Sequence, residues 1–366
     1  MTNRNRYLFI LVIVFSISWL FQTILIPLII AFLIAVLSSP IVDFLVNKTK
    51  LNREISAFVT VIGIGVLVAL LFFVIGNNIY SVFEKSDLYV TKISDIAYKS
   101  IDYINSKFGF KLVHKSILKS ETLEKKIRDN IDTIFNLLTN STSVISNLLL
   151  MPLYVFFMLL YKNFFIEFLF KWFSAKSDAF MTSVMQGVYD VIHNYLKGVL
   201  LVMLIVGVLN SIGLLILGLE NAIFWGFLAA ILLLIPYIGI SIGALTPTLI
   251  ALVTNDSPWY AVAVFSVFIG VQIIEGNFIT PKIVGSKVSI NSFVAILSFL
   301  FFGFIFGLSG LVLALPITAV LKVIFDHIPE LHPLGYVMGN PPNSIFETEK
   351  TKKEILTDQS NTNAPQ

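Results

Sequence analysis

The sequence predicts an all-α fold, a polytopic membrane helix bundle, and three observations carry that expectation. First, 57% of the 366 residues are hydrophobic and only 13% charged, against about 45–50% and about 25% in ordinary soluble domains. A soluble chain of this composition lacks the polar groups to cover its surface, so the apolar excess must face a lipid bilayer. Second, apolar runs near the roughly 20 residues that a membrane-crossing helix needs recur along the chain. Third, two further apolar stretches are interrupted by Gly and Pro at their midpoints. The net charge of +3, with Lys and Arg thinly spread, argues against nucleic acid as a partner. The absence of cysteine excludes disulfides, thiol catalysis and zinc–thiolate sites.

The start, Met1 to Arg6 and then an apolar run, resembles a signal peptide, but the run continues to Val46 without a small-residue cleavage site. That is too long for a signal sequence. It reads as two retained spans, 7–20 and 24–46, with Gln22 and Thr23 at the turn. Residues 55–76 give the third span, 148–170 the fourth with Pro152 near its start, 191–217 the fifth, and 259–276 another.

The interrupted stretches read as two Gly/Pro-broken helical hairpins. In the first, 222–235 is followed by Pro236-Tyr237-Ile238-Gly239 and then 240–253. In the second, 293–306 is followed by Gly307-Leu308-Ser309-Gly310 and then 311–325. Each arm makes about 20 Å of helix, short of a hydrocarbon core about 30 Å thick. Asn221 opens the first hairpin and Pro247 lies in its second arm; Asn291 and Pro316 hold the same places in the second. Paired broken segments of this kind mark the binding site in many transporters. Against that stands the general frequency of Gly and Pro in membrane helices.

The domain organisation follows. Residues 1–76 are N-terminal transmembrane helices. Residues 77–147 form a small extracytoplasmic helical subdomain, with Ile93, Ile96, Ala97, Ile101, Ile104 and Phe108 at helical spacing and Leu123, Ile127, Ile131, Ile134 and Leu138 likewise. Residues 148–328 are a C-terminal transmembrane core holding both hairpins. Residues 329–366 are a cytoplasmic tail whose polar part, from Asn340, reads as disordered. Lys and Arg collect in alternate short loops: Arg4 and Arg6, then Lys48, Lys50 and Arg53, then Lys171 and Lys176, then Lys282 and Lys287. The loops near Gln22, Leu219 and Asn255 hold none. The positive-inside rule then puts both termini in the cytoplasm.

The most informative segment runs from Gln272 to Lys282. Glu275 stands in an apolar span, where a carboxylate is expensive and by default suggests function. It could carry a proton or coordinate a cation. Gln272 lies one turn earlier on the same face, Gly276 loosens the helix, and Asn277 and Pro281 follow. The bland alternative is an interfacial helix end with Lys282 neutralising the charge. At the first hairpin tip, Pro236 withdraws an amide, Gly239 permits close backbone approach, and Tyr237 offers an aromatic face with a hydroxyl. The alternative there is a tight turn without a ligand. Asp190, His193 and Lys197, with Asn194, share one helical face and could relay protons, or simply mark an amphipathic helix end at the headgroups. Gly307-Leu308-Ser309-Gly310 matches the GxSG of intramembrane serine proteases, but the base must come from a later span, and the nearest candidate, His327, ends the same hairpin. There is no GxxxxGK[ST] phosphate loop. No metal site, no cofactor and no enzymatic activity are expected.

These residues resemble the autoinducer-2 exporter family of bacterial permeases. The stretches that carry the resemblance are Tyr195-Leu196-Lys197-Gly198, Leu217-Gly218-Leu219, Ile235-Pro236-Tyr237-Ile238-Gly239 with Gly243 and Pro247, Glu275-Gly276-Asn277 through Pro281-Lys282-Ile283-Val284-Gly285, and Gly303, Gly307, Gly310 and Pro316. The family often has Gln where this chain has Val199, and Pro where it has Ile240. The resemblance implies a multispan permease of the bacterial inner membrane that assembles as a homo-oligomer. It implies export of a small polar signal such as autoinducer-2 in some members and sodium–proton (Na+/H+) antiport in others.

The expected function is therefore a secondary transporter whose two hairpins and Glu275-bearing span enclose the substrate path. The alternative is a membrane scaffold for envelope assembly, in which the extracytoplasmic subdomain is the working part. The topology is directly testable in this cysteine-free chain. Single cysteines at Asp87 and Asn255 are expected to react with impermeant maleimide from outside, and those at Lys50 and Lys287 only after permeabilisation. Outside labelling at Lys287 would overturn the orientation.

Overall fold

The computed structural model describes residues 19–84, 91–92, 95–96, 99, 102, 105–107, 142–173, 177–235, 238–255, 257–285 and 289–340. Nearly all of the expected first span, most of the 77–147 subdomain, the tip residues Pro236 and Tyr237, and the tail beyond Asn340 lie outside these. Among the described residues all regular structure is helical. The helices are α1 (Gln22–Thr49), α2 (Arg53–Glu84), α3 (Thr142–Leu160), α4 (Lys162–Trp172), α5 (Asp178–Ile216), α6 (Ala222–Leu232), α7 (Ile238–Thr254), α8 (Pro258–Ile274), α9 (Ser292–His327) and α10 (His332–Met338). Five stretches among them are long and apolar enough to cross a membrane, and a sixth is bent.

The chain divides into two compact units, one of Phe21–Ala175 with His193–Gly285, the other built on Lys176–Ile192 and Ser286–Gln366. In the first, α1, α2 and α3 meet through Ala31, Ala35, Val42, Ala57, Val61, Val155 and Leu159. Small side chains dominate because apolar burial drives nothing in lipid, and close backbone packing must do so instead. Outward, Phe58, Leu67, Leu70, Phe72 and Phe73 of α2 are exposed, as a lipid-facing helix requires.

The fourth span is not the straight helix expected over 148–170. It bends by 67° between α3 and α4, at Tyr161, whose backbone leaves the helical region (φ −92°, ψ 15°). The cause is polar. Lys162 bonds Ser39 at 2.7 Å and Asp43 at 3.2 Å on α1. Arg53 pairs with the same Asp43 at 3.4 Å and donates through Nε to the Leu159 carbonyl at 3.1 Å. The last carbonyls of a helix have no intrahelical partner, and Arg53 supplies one for Leu159.

The later part of α5 packs with α6, α7 and α8 around Leu214, Trp225, Ala229, Ala244, Ala251, Val264 and Phe268. Helices α6 and α7 form the first expected hairpin, with Pro247 inside the second arm. The arms touch backbone to backbone: a Cβ on Gly243 would lie 2.7 Å from the Cα of Ala229. Lys92, in the segment after α2, donates to the Val253 carbonyl at 2.9 Å. Lys92 therefore lies beside the end of α7. Helix α5 begins at Asp178 rather than near 191. Met181 is buried there among exposed polar residues, so an amphipathic stretch prolongs the apolar span.

In the second unit α9 is a hairpin, not a rod. Thr318 Oγ1 lies 2.8 Å from Ser298 Oγ, whereas a straight helix would put these residues about 30 Å apart. The reversal falls on Gly307 (φ 60°, ψ −140°), a conformation open essentially to Gly alone. Leu308, Ser309 and Gly310 are already helical, so the turn is shorter than the four-residue tip expected. Asn291 caps the hairpin by accepting from Val294 N–H at 2.9 Å, and its amide donates to the carbonyls of Val337 and Gly339 at 2.7 and 2.8 Å. That anchors α10 against the start of α9.

A methyl group on Gly310 would run into the Phe302 carbonyl, whereas Gly63 on α2 has open space around it. Gly310→Ala and Gly307→Ala are therefore each expected to cost about 1–3 kcal/mol through overpacking and backbone strain respectively. Gly63→Ala should stay within about 0.5 kcal/mol of wild type. Thermal unfolding in detergent checks all three.

Candidate functional site

Helix α8 ends in two wide turns, with π-helical backbone over Glu275–Ile279 and again over Pro281–Gly285. The sequence explains the change of winding. Pro281 has no N–H to give to the preceding turn, and Gly276 lowers the cost of leaving α geometry. The amide of Thr280 accordingly bonds the Glu275 carbonyl five residues back. In an α-helix residue 279 would stack on Glu275; in the π turn Thr280 does.

Two donors thus converge on Glu275. Gln272 Nε2 donates to Oε2 at 2.6 Å, and the Thr280 hydroxyl donates to Oε1. The carboxylate is only 6% exposed. Satisfying both oxygens makes its burial tolerable, since an unpaired buried carboxylate is far more costly. Neither donor is charged. Asn277 departs from the expected constellation: it is exposed and its amide donates to the Ile273 carbonyl at 2.8 Å. Pro281 is exposed too, and acts through the backbone it interrupts.

A cavity of about 10 Å³ lies beside this network, lined by Val206, Asn210, Leu233, Gly239, Phe268 and Gln272 among others. It brings Gln272 together with Gly239 of the first hairpin. Gly239 is buried, and a Cβ there would lie 2.9 Å from the backbone of Leu233, so the tip closes only with Gly. Pro236 and Tyr237 lie outside the described residues. Behind the π turns, a Cβ on Gly198 would lie 3.3 Å from Val284 and 3.4 Å from the Ile283 carbonyl. The Tyr195–Gly198 and Pro281–Gly285 motifs are therefore packed on each other.

The three residues of the possible relay meet different surroundings along α5. Asp190 is exposed and accepts from Gln186 at 2.9 Å, His193 is buried, and Lys197 is exposed. His327 lies 3.1 Å from Ser183 Oγ and 2.7 Å from the Val323 carbonyl. Among the described residues no three His, Asp or Glu side chains gather as a metal site would require. Sequence reasoning missed Thr280, because a 3.6-residue period puts it on another face, and Asn210, whose signal was an amide deep in an apolar span.

The match to known proteins is extensive. Residues 8–330 match the family described as AI-2E family transporter. The chain is 30% identical to "Putative transport protein YrrI" of Bacillus subtilis over 87% of its own length and 91% of that protein's. It is 27% identical to "Putative transport protein YueF" of the same organism, over 89% and 92%. With "AI-2 transport protein TqsA" of Escherichia coli it shares 25% identity over 83% and 86%. A multi-pass helical membrane protein that matches this family over most of its length belongs to the AI-2E transporter family.

Proposed function

We propose that the chain is a secondary transporter of the bacterial inner membrane and that Glu275 is the group on which its cycle turns. The cargo is a small polar molecule such as autoinducer-2, or a cation exchanged for protons. One observation carries this reading: a buried carboxylate with both oxygens hydrogen-bonded stands where a membrane helix loses its α winding, beside a broken hairpin. Such a group is a burden in lipid unless its charge is used. π turns of this kind occur often at functional sites. The autoinducer-2 cargo is drawn from the name of the Escherichia coli relative, and the cation–proton alternative from the family resemblance.

In this mechanism a proton or cation neutralises Glu275 and weakens its hold on Gln272 and Thr280. The π turns then relax, and the first hairpin, whose Gly239 shares a cavity with Gln272, moves with them. Solute crosses while the carboxylate is neutral, and release of the ion resets the site. Cytoplasmic termini fit the Lys and Arg distribution. Assembly as a homo-oligomer would give the exposed apolar helices neighbours besides lipid.

Flux measurements in proteoliposomes, with autoinducer-2 and with sodium under imposed pH gradients, test the reading. Glu275→Gln keeps the size and most of the hydrogen bonding but removes the titratable charge, with one acceptor oxygen exchanged for an amide N–H2. It is expected to fold, since losing a buried charge relieves desolvation, while flux falls at least about tenfold, equivalent to about 1.4 kcal/mol. Glu275→Asp should keep part of the activity with a displaced pH profile. Normal, pH-dependent flux in Glu275→Gln at equal membrane abundance would remove Glu275 from the mechanism. Independently, Thr280→Val removes one of the two donors and is expected to cost about 1.5–3 kcal/mol of hydrogen bonding to the charged form. Its flux should fall less than that of Glu275→Gln, with a shifted pH dependence as the signature.

A further inference from the structure

Asn210 lies in the last two turns of α5, 3% exposed, within the apolar run from Val199 to Leu217. Its carbonyl oxygen Oδ1 is buried and receives no hydrogen bond from any described residue. An unsatisfied buried amide oxygen costs about 1–3 kcal/mol, and membrane interiors offer no bulk water to offset it. Asn210 also lines the cavity that reaches Gln272. Gln272 donates one amide N–H to Glu275, which leaves its second N–H and its carbonyl oxygen for other partners. Two amide oxygens cannot bond each other, because both are acceptors. A water molecule, with two O–H donors, satisfies both. The volume of about 10 Å³ is at the lower limit for one water. A metal ion would need about six oxygens, and Val206, Leu233 and Phe268 supply none.

We propose that the cavity between α5, the first hairpin and α8 is a single-water binding site, in which the water donates to Asn210 and to Gln272. The buried hydrogen-bond chain then runs from Asn210 through the water to Gln272, Glu275 and Thr280. Asn210 is thereby a positioning residue. It orients Gln272 toward Glu275 and couples the carboxylate to Leu233 and Gly239 at the hairpin tip. This role rests on the reading of Glu275 as the transport carboxylate; the presence of the water does not.

Radiolytic hydroxyl labelling in H2 18O tests the site without any flux measurement, because side chains beside an ordered water are oxidised even when buried. Phe268 and Phe302 are the matched pair, 5% and 4% exposed, and only Phe268 lines the cavity. In wild-type protein in nanodiscs Phe268 is expected to take up label faster than Phe302. In Asn210→Leu, which keeps the side-chain shape and removes the acceptor that holds the water, Phe268 should slow to the rate of Phe302. Equal rates in the wild type overturn the proposal with no variant needed. Fast labelling that persists in Asn210→Leu also overturns it, since the water would then not be held by Asn210. Should Phe268 labelling behave as expected while Glu275→Gln transports normally, the water site stands and the transport reading falls. The converse result separates the two the other way.

Discussion

Every break in a helix inside a bilayer exposes backbone N–H and C=O groups that lipid cannot satisfy, and the whole structure is arranged around meeting that demand. Three interruptions among the described residues each have a polar answer. At the α3–α4 bend Arg53 takes the Leu159 carbonyl, and Asp43 holds both Arg53 and Lys162 in place. In the α9 hairpin one glycine makes the turn and the Ser298–Thr318 pair ties the arms. At the end of α8 the winding widens instead of breaking, and a carboxylate, an amide and a hydroxyl gather on the widened turns. The first two sets of partners are held by fixed packing. The third includes the one buried acidic side chain among the described residues.

The helical class and both hairpins were legible in the sequence because their signals are local. Apolar run length marks a span, and a Gly or Pro at the midpoint of an overlong run marks a reversal. The 67° bend at Tyr161 was not legible. Its cause is a set of charges separated by more than a hundred positions, between Arg53 or Asp43 and the Leu159–Lys162 turn. The length of α5 was misjudged for a different reason. Its first turns are amphipathic, and a search for purely apolar residues stops where one face turns polar.

The site was partly legible by the same logic. Glu275 and Gln272 stand one α-turn apart and were readable as neighbours. Thr280 was hidden by the assumption of constant winding, although Gly276 and Pro281 announce that the winding fails. Gly239 was readable as a position of close approach, but its neighbour across the tip, Leu233, and the cavity behind it depend on how α5, α6, α7 and α8 come together. Small residues at their contacts, Gly207, Gly226 and Gly243 among them, let the backbones approach closely. The consequence is a dense apolar core with a short polar strip through it, in which a change at the carboxylate has few places to go except along α8 and into the hairpin.

The central claim is that Glu275 is a protonatable carboxylate inside the apolar bundle and that transport depends on it. Reaction with dicyclohexylcarbodiimide addresses both halves, since the reagent partitions into lipid and couples to protonated carboxyl groups there. Peptide mapping of the reacted protein in proteoliposomes is expected to place the adduct on Glu275, with flux falling in step with its occupancy. Full flux from protein in which Glu275 is completely modified would contradict the account.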